Sequence, residues 1–97
     1  MSKLKKISVI IPVYNQERYI ARCLHSILSQ SFHEDLYEVI VINDASTDNT
    51  SFVLEQFSKN ITVIKNNINI GLPGSLNIGI KNSNSQYIVR IDSDDYV

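Results

Sequence analysis

Four short runs rich in isoleucine and valine constrain the fold of this 97-residue chain more than any other feature. The runs are mostly continuous rather than alternating, which is typical of strands that are buried on both faces of a parallel sheet. They predict strands at Ile7–Val13, Tyr37–Ile42, Ile61–Ile64 and Tyr87–Ile91. Parallel neighbours need long crossover connections, and each segment between the runs is long enough to hold a helix.

The segments between the strands carry helix signals. Asn15 is a favourable N-cap for the first helix, with Glu17 in its first turn, where the helix dipole favours a negative charge. The third helix has Pro73 placed for its first position, and its apolar residues Leu76 and Ile80 lie one turn apart. The order β-α-β-α-β-α-β predicts an α/β fold, a Rossmann-like half of a doubly wound parallel sheet.

The composition excludes several classes of protein. With 43% hydrophobic and 20% charged residues, the chain is an ordinary globular protein, and its net charge of −1 gives no basic field that would recruit nucleic acid. The single cysteine, Cys23, rules out an internal disulfide, and His25 and His33 are interpreted as ordinary surface or loop residues. The longest apolar stretch, residues 9–14, is too short for a membrane span or a signal-peptide core, so a cytoplasmic address is expected.

The chain ends at Val97, two residues after the acidic run D-S-D-D at 92–95. In open α/β sheets the functional site lies outside the carboxyl ends of the strands. We therefore interpret residues 1–97 as the incomplete, N-terminal part of a larger catalytic domain, with any membrane association supplied by sequence outside it. An uncovered sheet edge invites self-association, so a homodimer or a marginally stable monomer is expected.

Acidic side chains gather at one edge of the predicted sheet, where the carboxyl ends of the parallel strands meet. Asp92 and Asp94 are two residues apart in extended chain and point to the same side, where Mg²⁺ or Mn²⁺ would relieve their repulsion. The alternative is an acidic turn after a strand. Asp44 also has two interpretations, as an acceptor for a nucleobase imide N–H or as a cap of the next helix, and the spacing favours the cap.

Two more side chains at this edge have alternative interpretations. Tyr14 either stacks on a base or packs as a loop aromatic. Arg90 lies on the same side of its strand as Asp92, and an ion pair between the two is favoured over a contact with a diphosphate.

Several nucleotide-binding and catalytic patterns are missing from the sequence. No G-x-G-x-x-G follows the first strand, and the P-loop-like run from Gly74 ends in Ile-Lys instead of Lys-Ser or Lys-Thr. There is no nucleophile-elbow serine. The loop after the first strand lacks the basic, glycine-rich character of a nucleotidyltransferase, and the acidic pair of a receiver domain is missing. A non-catalytic nucleotide-binding or dimerising module stays open as the alternative to an enzyme.

Five segments of the chain match one set of motifs, in order and at plausible spacing. They are S-V-I-I-P-V-Y-N at 8–15, S-Q-S-F at 29–32, N-D-A-S-T-D at 43–48, N-I-G-L with N-I-G at 69–79, and the strand ending in D-S-D-D at 87–95. Together they resemble the family 2 glycosyltransferases, which have the GT-A fold. The match covers nearly the whole chain, and five motifs in register are far more specific than any one alone.

The resemblance implies transfer of a sugar from a nucleotide-sugar, usually a UDP-sugar, to an acceptor hydroxyl, with inversion at the anomeric carbon. The acceptor would be a carbohydrate or a lipid-linked molecule, as in polysaccharide biosynthesis at the inner face of a membrane. Mn²⁺ or Mg²⁺ would neutralise the charge that grows on the departing nucleotide. The catalytic base would lie beyond Val97, so this chain would supply donor binding.

The resemblance also assigns individual residues. Those implied for the donor are Pro12, Val13, Tyr14, Glu17, Asp44, Asp92 and Ser93, and those implied for the metal are Asp94 and Asp95. In this assignment Tyr14 stacks on the base, Glu17 helps to hold the nucleoside, and Asp44 accepts a hydrogen bond from uracil N3–H. Asp92 would lie near the ribose and the first phosphate.

The chain departs from the family pattern at three positions. Asn43 replaces the first aspartate of D-D-G-S, which removes a carboxylate but keeps an acceptor. Ala45 replaces the glycine, which predicts that the backbone there has no positive φ. Leu76 stands where the family often has arginine, which puts one donor contact in doubt.

Overall fold

A computed structural model describes residues 6–30 and 36–94 of the chain. The predicted order of strands and helices is confirmed, and each strand begins and ends within one residue of its predicted limits. The elements are β1 (Ile7–Val13), α1 (Ile20–Leu28), β2 (Tyr37–Asn43), α2 (Thr50–Glu55), β3 (Thr62–Lys65), α3 (Gly71–Lys81) and β4 (Tyr87–Arg90).

The four strands form one parallel sheet in the order β3-β2-β1-β4, which confirms the predicted α/β architecture. The chain moves outward from β1 through β2 to β3 and then returns to place β4 on the other side of β1. The strand order therefore reverses between β1 and β4. In open α/β sheets, ligands bind outside the carboxyl ends of the strands at such a reversal.

Alternate residues of the two central strands face opposite layers of helices. In β1, Val9 and Ile11 pack in the larger core with α1 and α2, whereas Ile10 joins Ile40 and Ile42 of β2 in a smaller core beneath α3. This alternation follows from the two-residue period of a strand. By the same alternation, an even-numbered residue directly after β1 or β2 lies on the side of the sheet that faces α3.

Helix α3 lies close to the sheet, and the face that it buries differs in part from the predicted face. Gly79 is buried in the contact, whereas Ile80, predicted to be apolar core, is 48% exposed. Leu76, the other residue of the predicted face, packs against the smaller core as expected, together with Ile78. The helix begins at Gly71, so Pro73 occupies its third position and not the first.

The predicted start of α1 is also wrong. The helix begins at Ile20, after a turn in which the N–H of Tyr19 donates to the Gln16 carbonyl, and its first turn holds no acidic residue. Asn15 is therefore not the N-cap, and Glu17 lies before the helix. The side chain of Asn15 is bonded across to the loop after β2, which removes it from the helix.

Only one of the two histidines lies in the part of the chain that the structure describes. His25 is exposed and packs edge-on to Phe57 with ring centroids 5.0 Å apart, whereas His33 lies outside the described residues.

Among the described ranges the longest helix, α3, has 11 residues. A bilayer span needs about 20 residues, so none of these helices crosses a membrane.

Strand β4 forms one edge of the described sheet and is exposed along its whole length, with Tyr87, Ile88 and Val89 among the exposed apolar residues. The self-association expected from the sequence would take place at this edge, because its outer backbone groups and side chains have no neighbouring strand there. Size-exclusion chromatography with light scattering is expected to show a dimer or an unstable monomer. A clean, stable monomer would contradict the prediction.

Candidate nucleotide site

An open cleft lies beyond the carboxyl ends of β1 and β2, next to the first turn of α3. It is lined by Pro12, Val13, Tyr14, Asp44, Leu72 and Ser75. Four of the residues assigned to the donor thus meet in one place, and Tyr14 is 45% exposed there. A partly open aromatic face beside a buried carboxylate suits a planar, polar ligand.

Asp44 is the electrostatic centre of this cleft. Its side chain is only 4% exposed, yet both of its oxygens have donors. Oδ1 accepts from the Ile70 N–H and from Asn66 Nδ2, each at 2.9 Å, and Oδ2 accepts from the Gly71 N–H at 2.9 Å. The two backbone N–H groups belong to the start of α3, where the helix dipole also favours a negative charge.

Asp44 is therefore a helix cap, but of α3 and not of the next helix along the chain. Residue 44 faces α3 because it continues the even-numbered side of β2. Burial by itself raises the pKa of Asp44, but the hydrogen bonds from Ile70, Asn66 and Gly71 together hold that pKa below its ordinary value of 3.8. The cleft thus contains a fixed negative charge at neutral pH.

Asn43 and Asp48, which flank Asp44 in the sequence, have structural roles on the opposite face of the sheet, next to α2. Asn43 is fully buried, donates from Nδ2 to the Ser51 hydroxyl at 2.8 Å and accepts the Ser46 N–H at Oδ1. Asp48 caps α2, because its Oδ1 accepts the Thr50 N–H at 2.9 Å. Within the pattern N-D-A-S-T-D, the side chains of Asn43 and Asp48 therefore bond to residues of α2, whereas the side chain of Asp44 bonds to the start of α3.

Ala45 contradicts the expectation for its backbone. Its φ is +60°, although an alanine there predicted a negative value. The loop is fixed on both sides of it, since the Asp44 N–H donates to the Val13 carbonyl at 2.8 Å and the Ser46 N–H donates to Asn43. These contacts hold the left-handed conformation in spite of the Cβ.

The residues after β4 lie at the same edge of the sheet, on the far side of β1 from Asp44. The ion pair favoured from the sequence is present, with Arg90 Nη2 and Nε at 2.9 and 3.1 Å from Asp92 Oδ1. Ser93 is buried, and α1 contacts the loop where Arg22 donates to the Asp94 carbonyl at 3.3 Å. Asp95, the second residue assigned to the metal, lies outside the described residues.

The described part of this loop offers a hard divalent cation one open carboxylate, that of Asp94. The Asp94 side chain is exposed, and no hydrogen bond from a described residue occupies its carboxylate. Within residues 6–30 and 36–94, no three acidic, histidine or cysteine side chains converge into a closed metal cage. Mg²⁺ is usually bound by one or two carboxylates plus substrate phosphates and water, so an open site with few protein ligands suits it.

Two residues singled out from the sequence lie away from the cleft. Glu17 is exposed and accepts the Asn49 N–H at 3.5 Å, in the loops beside α1 and α2, and it does not line the cleft. Leu76 packs against the smaller core, so its replacement of an arginine serves the contact between α3 and the sheet.

Four residues of the site had no role assigned from the sequence. Asn66 and Asn69 donate to the side chain and the carbonyl of Asp44, and Leu72 and Ser75 line the cleft. The signal that could have found the two asparagines is the asparagine-rich run at 66–69 shortly before α3, because asparagine side chains commonly bond loop backbone.

Comparisons with known proteins identify the family of the chain. The family model described as Glycosyl transferase family 2 matches residues 8–97. The chain is 43% identical over 96 residues to the poly(ribitol-phosphate) beta-glucosyltransferase of Bacillus spizizenii, an alignment that covers 95% of this chain and 15% of that protein.

Two groups of solved structures have the same fold. S. aureus TarS 1-349 in complex with UDP-GlcNAc matches with a TM-score of 0.88 and 37% identity, covering 94% of this chain and 27% of that one. Mannosyltransferase PcManGT from Pyrobaculum calidifontis, in complex with GDP-Man and Mn²⁺, matches with a TM-score of 0.87 and 26% identity, covering 92% and 27%. The chain thus spans less than a third of the length of each of these proteins.

Proposed function

This chain belongs to glycosyl transferase family 2, and from that premise we propose that it binds the nucleotide of a nucleotide-sugar donor for an inverting, metal-assisted sugar transfer. The observation that carries the proposal is the cleft in which the open ring of Tyr14 stands beside the buried carboxylate of Asp44. Family membership sets aside the nucleotidyltransferase and receiver alternatives. Donor binding is the role proposed for residues 1–97 as one unit.

Uridine is the nucleoside that we propose for the cleft. Tyr14 stacks on the base, and Pro12 and Leu72 enclose it. Oδ2 of Asp44 accepts the Gly71 N–H, and in this proposal the Asp44 carboxylate also accepts the imide N–H of uracil. Because the carboxylate is held ionised, it favours a base edge that donates a hydrogen bond. The TarS structures, which hold UDP or UDP-GlcNAc, support this choice.

The loop after β4 is proposed to hold the diphosphate end of the donor. Asp94, with Asp95 in support, would hold Mn²⁺ or Mg²⁺, and the bound cation would supply neutralisation of the charge that develops on the departing nucleoside diphosphate. Asp92, steadied by Arg90, and the buried Ser93 orient the donor between the base and this loop. The Mn²⁺ complex of PcManGT supports the use of a divalent cation.

The acceptor is proposed to be a hydroxyl of a carbohydrate or polyol polymer. The relative from Bacillus spizizenii is named for poly(ribitol-phosphate), which supports a polymer as the acceptor and a role in polysaccharide biosynthesis. Such acceptors are large, so the cleft described here serves the donor alone.

Replacing Asp94 with alanine is expected to weaken UDP binding at least about tenfold when Mn²⁺ is present and to leave metal-free binding unchanged. The physical reason is that the carboxylate contributes only through the cation that it shares with the diphosphate. Calorimetric titration of UDP with and without Mn²⁺, with GDP and NAD as comparators, makes the measurement.

Glu55→Ala is the matched control, because it removes one exposed carboxylate from α2, away from the cleft. It is expected to bind UDP as the wild type does. The donor-site assignment would be overturned by a preference for NAD or by a folded wild-type chain that does not bind UDP.

A further inference from the structure

Two residues that carry side chains have a positive φ within the described parts of the chain, and each directly follows a residue of the cleft. Asn15, with φ of +52°, follows Tyr14, and Ala45, with φ of +60°, follows Asp44. This backbone conformation is unfavourable for a residue with a Cβ and persists only where neighbouring contacts enforce it. Both residues with this conformation therefore border the cleft.

The contacts that enforce it join the loop after β1 to the loop after β2. Asn15 Oδ1 accepts the Thr47 N–H at 2.7 Å and the Asp48 N–H at 3.3 Å, and Asn15 Nδ2 donates to the Thr47 hydroxyl at 3.2 Å. The Asn15 N–H in turn donates to the Ser46 hydroxyl at 3.0 Å. We call this set of contacts between Asn15 and residues 46–48 the loop clamp.

The loop clamp also reaches the residue that precedes Asp44. The Ser46 N–H donates to Asn43 Oδ1 at 3.2 Å, while its hydroxyl accepts from Asn15. The backbone on both sides of Asp44 is therefore tied to the backbone that follows Tyr14. A change in either loop is transmitted to the other through Ser46.

We propose that Asn15 is a positioning residue for the nucleotide, acting through Tyr14, an inference that rests on the proposed function. Tyr14 lines the cleft and lies directly between the end of β1 and the turn at Asn15, so this turn fixes the backbone from which the ring projects. The loop clamp holds the ring opposite Asp44 before the ligand arrives. A site that is already ordered loses less conformational entropy when it binds.

The test is a double-mutant cycle on uridine and UDP affinity with Asn15→Gly and Tyr14→Ala. Glycine adopts the positive φ without strain, so Asn15→Gly removes the side-chain contacts and spares the backbone conformation. Asn15→Gly is expected to weaken uridine and UDP by the same factor, roughly 3- to 10-fold. In the Tyr14→Ala background it is expected to have almost no further effect, because its action passes through the ring.

Two further variants complete the design. Asn15→Asp keeps the oxygen that accepts from Thr47 and Asp48, and aspartate tolerates this conformation, so it is expected to restore most of the affinity. Asn60→Gly is the matched control, because Asn60 is exposed in the turn after α2, and it is expected to bind like the wild type.

The outcomes separate this inference from the proposed function. Wild-type UDP binding that Asn15→Gly leaves unchanged, or an equal loss in the presence and absence of Tyr14, overturns the positioning role alone. A folded wild-type chain that does not bind UDP overturns both. Thermal unfolding of each variant shows the folded fraction, so affinities are compared per folded molecule.

Discussion

Replacing Asp44 with alanine is expected to lower the free energy of unfolding by about 2–4 kcal/mol and to weaken UDP binding at least about tenfold. The buried carboxylate is the acceptor for the Ile70 and Gly71 N–H groups, and no side chain of the N-cap residue replaces it. Truncation leaves these donors without their charged partner at the start of α3. Urea denaturation and calorimetry measure the two effects separately.

Acid is expected to remove the same stabilisation. Because the pKa of Asp44 lies below its ordinary value in the folded state, the unfolded chain binds more protons as the pH falls. The contribution is complete above the ordinary pKa and is lost below about pH 4, as the pH passes through the folded-state pKa. Asp48, whose pKa is lowered by hydrogen bonds from Thr50 in spite of its burial, adds to the loss in the same direction.

The same substitution at Asp48 is the matched control. Asp48 also caps a helix, but it is less buried and does not line the cleft. Asp48→Ala keeps the backbone N–H that Asp48 donates to Asn15, and it is expected to cost about 1 kcal/mol and to weaken UDP binding far less than Asp44→Ala does. Equal losses of UDP affinity in both variants would mean that Asp44 acts only as a structural cap. Asp44→Asn, which cannot titrate, should show a shallower loss of stability below about pH 4 than the wild type.

The strands and their order along the chain could be predicted because the signal for them is local. Continuous runs such as Ile7–Val13 are compatible with little except a buried strand, and helical periodicity in the connections fixes a parallel sheet. The motif after each strand then places Tyr14, Asp44 and Asp92 at one edge. That much of the site follows from the topology.

The rest of the site depends on contacts between residues that are distant in sequence. Asp44 caps α3 across 26 and 27 residues, and Asn15 bonds to a loop 32 residues away. Local rules instead made Asn15 a helix cap and gave Ala45 a negative φ. In both positions tertiary hydrogen bonds override the local preference, and both positions follow a residue of the cleft. Disagreement between local propensity and structure is expected at functional sites.

The second large effect on stability is expected at Gly79 of α3, and its reason is again a contact between a helix and the sheet. Gly79→Ala is expected to lower the free energy of unfolding by about 1–3 kcal/mol. A Cβ at this position would lie 2.6 Å from Ile10 Cγ2 and 2.9 Å from Ile42 Cδ1, both in the fully buried core beneath the helix. The branched side chains of two central strands cannot move away, so α3 must shift from the sheet.

Gly74→Ala is the matched control. Gly74 lies five residues before Gly79 in the same helix. Its Cβ would also meet an isoleucine, at 2.9 Å from Ile70 Cδ1, but that side chain is 41% exposed and can rotate into solvent. Alanine is a better helix former than glycine, so this variant is expected to be neutral or more stable by up to about 1 kcal/mol. Opposite signs in urea denaturation would show that close approach to the sheet, and not helix propensity, requires glycine at 79. Equal effects in the two variants would contradict the close packing of α3, and with it the placement of the α3 start against Asp44.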